Sequence, residues 1–144
     1  MPAKSVSRES TSPAPSKKYF DIDEANRSIV YVGKIVDDIC ETYQAALRIQ
    51  QRRDDLVAEH AEPLRREYDE TVRKLNAYVE ELHSTGVELK DYEVGLVDFP
   101  ARHDGRAISL CWRRGEKEIL AWHETDEGFA NRQPLDLLEP VEAE

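Results

Sequence analysis

The chain of 144 residues carries 30 acidic and 20 basic side chains, a net charge of -10 at neutral pH. That balance opposes condensation on phosphate backbones or anionic lipid, so neither a nucleic-acid partner nor a membrane surface is expected. A hydrophobic fraction of 40% at this length suits one core of ordinary size, and the 35% charged fraction points to long, solvent-bathed helices.

Residues 1–18 are rich in Ser, Pro and Ala, with Met1 and Val6 the only large apolar side chains. Such a segment buries too little surface to offset its ordering entropy, and a disordered tail is expected. It has no apolar stretch of the signal-peptide kind, and no later run approaches the roughly twenty apolar residues that span a bilayer.

Tyr19-Phe20-Asp21 begins the folded part. Asp21 can cap the first free amides, Glu24 can reach back to it, and Phe20 can staple against Ala25. Apolar positions then recur at Ala25, Ile29, Val32, Val36, Ile39, Tyr43 and Ala46, in steps of four and three. This is the period of a helix seam packed on another helix, and it predicts a helix reaching to about His60.

A second run places Leu64, Tyr68, Thr71, Leu75, Tyr78 and Leu82 on one face, with Gly86 as its C-cap. Pro63 suits the first turn of this helix and biases Glu62 away from helical geometry. The spacing therefore predicts a long, coiled-coil-like antiparallel hairpin over residues 21–85; the alternative is one helix kinked at Pro63. Arg48, Arg52, Arg53, Arg65 and Arg66 lie among acids and read as a solvated face.

Beyond Gly86 the period becomes that of strands. Gly95 to Gly105 reads as strand residues followed by turn residues, and Ala107 to Arg113 alternates in the β manner. Arg114-Gly115-Glu116 is expected to turn, and Glu118 to Glu124 to return. The fold class is α+β: a helical hairpin and then a small antiparallel sheet over 87–135, one domain spanning 19–135, with an acidic tail at 136–144.

The hairpin register decides which side chains share a face. A three-residue loop at 114–116 puts Ile108, Leu110, Trp112, Leu120 and Trp122 on one side, and Ser109, Cys111, Ala121 and His123 on the other. Cys111 and His123 can then meet on a face of small side chains, where an imidazolium could stabilise a thiolate.

Candidate catalytic residues are therefore Cys111 as nucleophile and His123 as base, with Glu124 beside them. Candidate ligand-binding residues are Asp98, Arg106 and Arg132, the arginines as anion clamps. A divalent metal held by Cys111 and His123 with Asp98 or His103 is the cofactor reading, although no C-x-x-C or H-E-x-x-H pairs the donors; the other reading is no cofactor at all. Glu124, Asp126 and Glu127 could offer oxygens to a harder cation.

The plainer readings make Cys111 a small buried hydrophobe, His123 a hydrogen-bonded core residue and Asp98 the organiser of a Phe99-Pro100 turn. Cys40 and Cys111 form no disulfide framework, so reduced thiols and a cytoplasmic location are expected. There is no glycine-rich phosphate loop, nucleophile elbow or dinucleotide fingerprint, which disfavours the common nucleotide enzymes.

The strings YFDIDEAN, ELKDYEVGLVDFPARHDGR, LCWRRGEKEI and WHETDEGFANRQPL resemble the bacterial family labelled domain of unknown function 2203, over about residues 19–135. The resemblance implies no activity, substrate or cofactor. Its recurrent elements fall on Asp98, Arg106, Cys111, Trp112, Trp122, His123, Glu124 and Arg132, among others, while His103 stands where the pattern is loose, which weakens it as a ligand.

Two functions follow as expectations. The first is a non-enzymatic interaction module, its helical seam closing into a homo-oligomer, a dimer in the simplest case, with room for a protein partner. The second is a metal- or small-anion-binding protein, or an enzyme, with its site around Cys111 and His123.

Overall fold

The computed structural model describes residues 18–54, 58–125, 127–128 and 131–135, with the backbone alone at 58–60. Two helices, α1 (Ile22–Asp54) and α2 (Ala58–Ser84), precede five strands: β1 (Glu88–Asp91), β2 (Leu96–His103), β3 (Arg106–Arg113), β4 (Ala121–Glu124) and β5 (Gln133–Pro134). The strands form one antiparallel meander in the order β1-β2-β3-β4-β5. The fold is α+β, as the change of period at Gly86 predicts.

The start of α1 is the reciprocal cap anticipated from Asp21 and Glu24. The Glu24 amide donates to Asp21 Oδ1 at 2.7 Å, and the Asp21 amide to Glu24 Oε1 at 3.3 Å. Phe20 and Ala25 are both buried, and the Phe20 amide donates to the Pro100 carbonyl at 2.7 Å, which ties the helix entry to β2. Two orphan amides are satisfied and the chain's angle of entry is set at once.

The end of α2 shares one hydrophobic cluster with the start of α1: Leu82 lies with Phe20 and Ala25, so the chain doubles back as a hairpin rather than continuing as a kinked rod. The helix boundaries differ from the expected ones. α1 is described to Asp54 and α2 already runs from Ala58, so His60 belongs to the second helix, and Pro63 stands inside α2 rather than in its first turn, with Glu62 helical. Gly86 closes α2 at φ 95°, its amide donating to the His83 carbonyl at 3.0 Å, a backbone position that only glycine takes without strain.

Val32, Val36 and Ile39 of α1 and Leu75 and Leu82 of α2 pack with Val97, Phe99, Ile108, Leu110, Trp112 and Trp122 of the sheet. The seam positions Ala25, Val32, Val36, Ile39 and Ala46 are all buried within the chain, while Ile29 is only partly so. The sheet thus has one face on the hairpin, and by the two-residue period of a strand Asp98, Cys111 and His123 stand on the other.

Three strand expectations change. Asp98 belongs to the middle of β2, not to a turn at Phe99-Pro100, because the Pro100 ring points to the side of β2 where β1 has already ended, the side on which its carbonyl accepts Phe20. The turn is Asp104-Gly105, at φ 53° and 78°, joining His103 to Arg106 as a two-residue hairpin loop.

The strand after β3 starts at Ala121 rather than Glu118. The intervening residues bind elsewhere: the Trp112 indole donates to the Glu116 carbonyl at 2.9 Å and the Ile119 amide to Asn26 Oδ1 of α1 at 2.7 Å. Leu110 pairs with Trp122 and Ser109 with His123, a shift of two residues that preserves the predicted faces for all but Leu120, which is 55% exposed while Ile119 is buried.

The expected disordered tail up to residue 17 and the acidic tail at 136–144 lie outside the described residues, as does Asp126. Among the described residues no helix is long and apolar enough to cross a membrane.

Candidate functional site

Three neighbouring strands each send one donor to the sheet face turned away from the helices. Asp98 comes from β2, Cys111 opposite it from β3, and His123 from β4. All three are buried, and one carboxylate oxygen, the thiol sulfur and one ring nitrogen lie within 4.8 Å of one another. Next-but-one strands are about 9.6 Å apart, so the imidazole must lie across β3 to reach Asp98. The small side chains of Ser109 and Cys111 leave it that room.

His123 Nε2 stands 3.0 Å from Asp98 Oδ1, and Nδ1 stands 2.7 Å from the backbone oxygen of Glu124. A carbonyl oxygen only accepts, so Nδ1 carries the hydrogen it donates. The Nε2 lone pair and the Asp98 oxygen would then repel unless a cation sits between them. In the metal-free chain that cation is one shared proton, whether written on the imidazole or on the carboxyl.

Burial dominates the electrostatics. It pushes the Asp98 carboxyl above the ordinary carboxylate value, against the opposing pull of His123 and of Lys90, whose Nζ is 4.0 Å from Oδ2. Burial, reinforced by the Asp98 charge, raises the Cys111 thiol to about 11, while a hydrogen bond and the charge of Arg132 act in the lowering sense. Cys111 is therefore a neutral thiol in this setting and not a preformed nucleophile.

The sequence candidates divide between the two faces. Asp98, Cys111, His123 and the guanidinium of Arg132 come together. Arg106 and Glu124 pair with each other on the far side, through Nε–Oε1 at 3.2 Å and Nη2–Oε2 at 2.8 Å. This fork holds Glu124 below and Arg106 above their ordinary values, and it engages the carboxylate expected to join Cys111 and His123. Glu124 serves the site through its carbonyl instead. His103, an odd number of residues from Asp98, faces the helix side and lies 3.4 Å from the carboxylate of Asp104, so it stands apart from the donor set.

Lys90, missed in the sequence, also belongs to the site. With Leu96, Asp98, His123, Glu127 and Gly128 it lines a cavity of about 290 Å³. Only a defined strand at Glu88–Asp91 brings it there, and ELKD carries too little alternation to announce one.

A family model described as an uncharacterized conserved protein, DUF2203, matches residues 18–135. No curated protein and no solved structure matches the chain.

Proposed function

The chain belongs to the DUF2203 family, and from the geometry of its site we propose that it is a metal-binding protein holding a divalent ion of the zinc class between Asp98, Cys111 and His123. One observation carries this reading: three chemically different donors converge within 4.8 Å on a buried face, with the imidazole oriented through its other nitrogen. Metal-bound histidines are commonly fixed in this way by a backbone carbonyl.

The donor set selects the ion. Calcium and magnesium take oxygen ligands, whereas one sulfur, one nitrogen and one oxygen suit zinc or a neighbouring transition metal. Tetrahedral zinc bond lengths imply about 3.3 Å between nitrogen and oxygen donors and about 3.6 Å from sulfur to either. The 3.0 Å contact opens slightly and the wider separations close by about 1 Å, movements within the reach of side-chain rotation. The ion takes the place of the proton shared by Asp98 and His123 and displaces the thiol proton of Cys111.

A second reading, an interaction module that self-associates as a dimer, is favoured by the exposure of Val30 at 81% and Tyr31 at 51% on α1. It draws on these two residues and not on the seam, whose central positions are covered by the chain's own α2 and sheet. A thiolate ligand and two free cysteines suit a reducing, cytoplasmic setting for either reading.

Zinc affinity of the full chain, by competition with a chromophoric chelator, tests the metal reading. Cys111→Ala and Asp98→Asn should each weaken binding by more than the roughly 10–100-fold that outer-shell substitutions cost, with circular dichroism unchanged. Equal affinity in wild type and both folded variants would refute it.

A further inference from the structure

The three donors do not share the same surroundings. Asp98 and His123 line the cavity of about 290 Å³, and Cys111 is not part of its wall. An ion held by all three therefore has sulfur behind it and the cavity in front. Three protein ligands leave a tetrahedral ion one further position, which in such sites is taken by water or by an exchangeable ligand.

The cavity's own chemistry limits what that ligand is. Lys90 supplies an ammonium, 4.0 Å from Asp98 Oδ2 and 3.3 Å from Glu88 Oε1, and its side chain is 46% exposed, so it can turn toward an occupant. Arg132 adds positive charge on the Cys111 flank, where it also reaches Glu116 Oε2 at 3.4 Å. Among the described residues, Glu127 adds a second carboxylate to the wall besides Asp98, and Leu96 supplies an apolar side. With Cys111 as thiolate and Asp98 as carboxylate the divalent ion is charge-balanced, so the positive charge offered to an occupant is the Lys90 ammonium, beside an ion that can accept one more donor oxygen.

We infer, on the strength of the metal reading, that the ion presents an exchangeable coordination position to this cavity and that the position takes a small oxyanion, a carboxylate or phosphate group, paired with Lys90. The volume admits such a group with a few waters, each of which needs about 30 Å³. Glu127 at the wall disfavours a larger polyanion by like-charge repulsion.

Cobalt(II)-loaded full-length protein makes both steps visible, because thiolate-to-cobalt charge transfer reports Cys111 and the ligand-field bands report the remaining position. Titration with inorganic phosphate and, separately, with acetate should shift the ligand-field bands saturably for at least one of them. A response to phosphate alone assigns a phosphoryl ligand, and a response to acetate alone assigns a carboxylate. Lys90→Gln should keep the charge-transfer band and weaken the anion response at least ~10-fold. Bands that neither anion moves, with charge transfer intact, overturn this inference and leave the metal reading standing. Anion binding of equal strength in Lys90→Gln overturns the pairing with Lys90. Absence of thiolate charge transfer in the wild type overturns both.

Discussion

Asp98 on β2 and His123 on β4 are joined across the intervening strand by a single 3.0 Å contact between Oδ1 and Nε2. Because Nδ1 is already committed to the Glu124 carbonyl at 2.7 Å, the contact requires a cation between two lone pairs. The same requirement makes the pair a folding determinant and underlies the proposed ligand set.

Asparagine at position 98 removes that requirement, since its amide nitrogen can donate directly to Nε2 of a neutral imidazole. Alanine leaves the buried ring without a partner. In urea unfolding of the metal-free chain at pH 7, Asp98→Asn should lie within ~2 kcal/mol of wild type and Asp98→Ala should lose ~3–5 kcal/mol. Equal losses would show that the contact contributes only through packing.

The buried thiol makes stability fall in alkali. Cys111 keeps its proton to about 11 in the folded chain, against an ordinary value of 9.0. Between these values the unfolded chain binds fewer protons than the folded one, so stability falls as pH rises through this window, by an amount of order 2 kcal/mol. Below pH 9 this contribution is fully present. Unfolding of metal-free wild type and Cys111→Ala at pH 8.5 and pH 11 checks it: the wild type should lose more, and parallel losses would remove Cys111 as the cause.

Gly95 sits at φ 79° where the loop after β1 passes α1. A Cβ there would lie 2.8 Å from the Arg114 Cβ and 3.0 Å from Val36 Cγ1. Gly95→Ala should therefore cost ~2–4 kcal/mol, combining backbone strain with overpacking. Gly105 has φ 78° with nothing within 4 Å, so Gly105→Ala should cost only about 1–2 kcal/mol. Thermal unfolding of both variants separates the two contributions.

The helical seam and the exposed face of α1 should respond oppositely to charge. Ile39 is fully buried, and Ile39→Glu is expected to abolish folding. Val30→Glu should change stability by no more than ~0.5 kcal/mol, because Val30 is 81% exposed. Sedimentation of Val30→Glu beside wild type then tests the second reading: a wild-type dimer that the variant loses places the interface on this face.

Periodicity made the helices and the sheet faces legible because it survives small errors in loop length. The β3–β4 connection is longer than the expected three-residue turn, yet an even shift kept Cys111 and His123 on one face and Leu110 and Trp122 on the other. Leu120 was lost to solvent because the preceding residues bond to α1 and to Trp112, long-range contacts that no local pattern encodes. Asp98 was readable as a candidate donor, but the point where its strand gives way to the turn was not, because Pro100 resembles a turn until the Phe20 amide is seen to meet its carbonyl. The Arg106–Glu124 fork was hidden because it depends on the pairing of β3 with β4, whose register the sequence left open, and Lys90 because ELKD carries too little alternation to announce a strand.

The most direct measurement is native mass spectrometry of the full chain, stripped of metal, reloaded with one equivalent of zinc and compared with Cys111→Ala. The wild type should retain one zinc per chain and the folded variant none. A wild type that retains no zinc, or a variant that retains it equally, would contradict the metal reading.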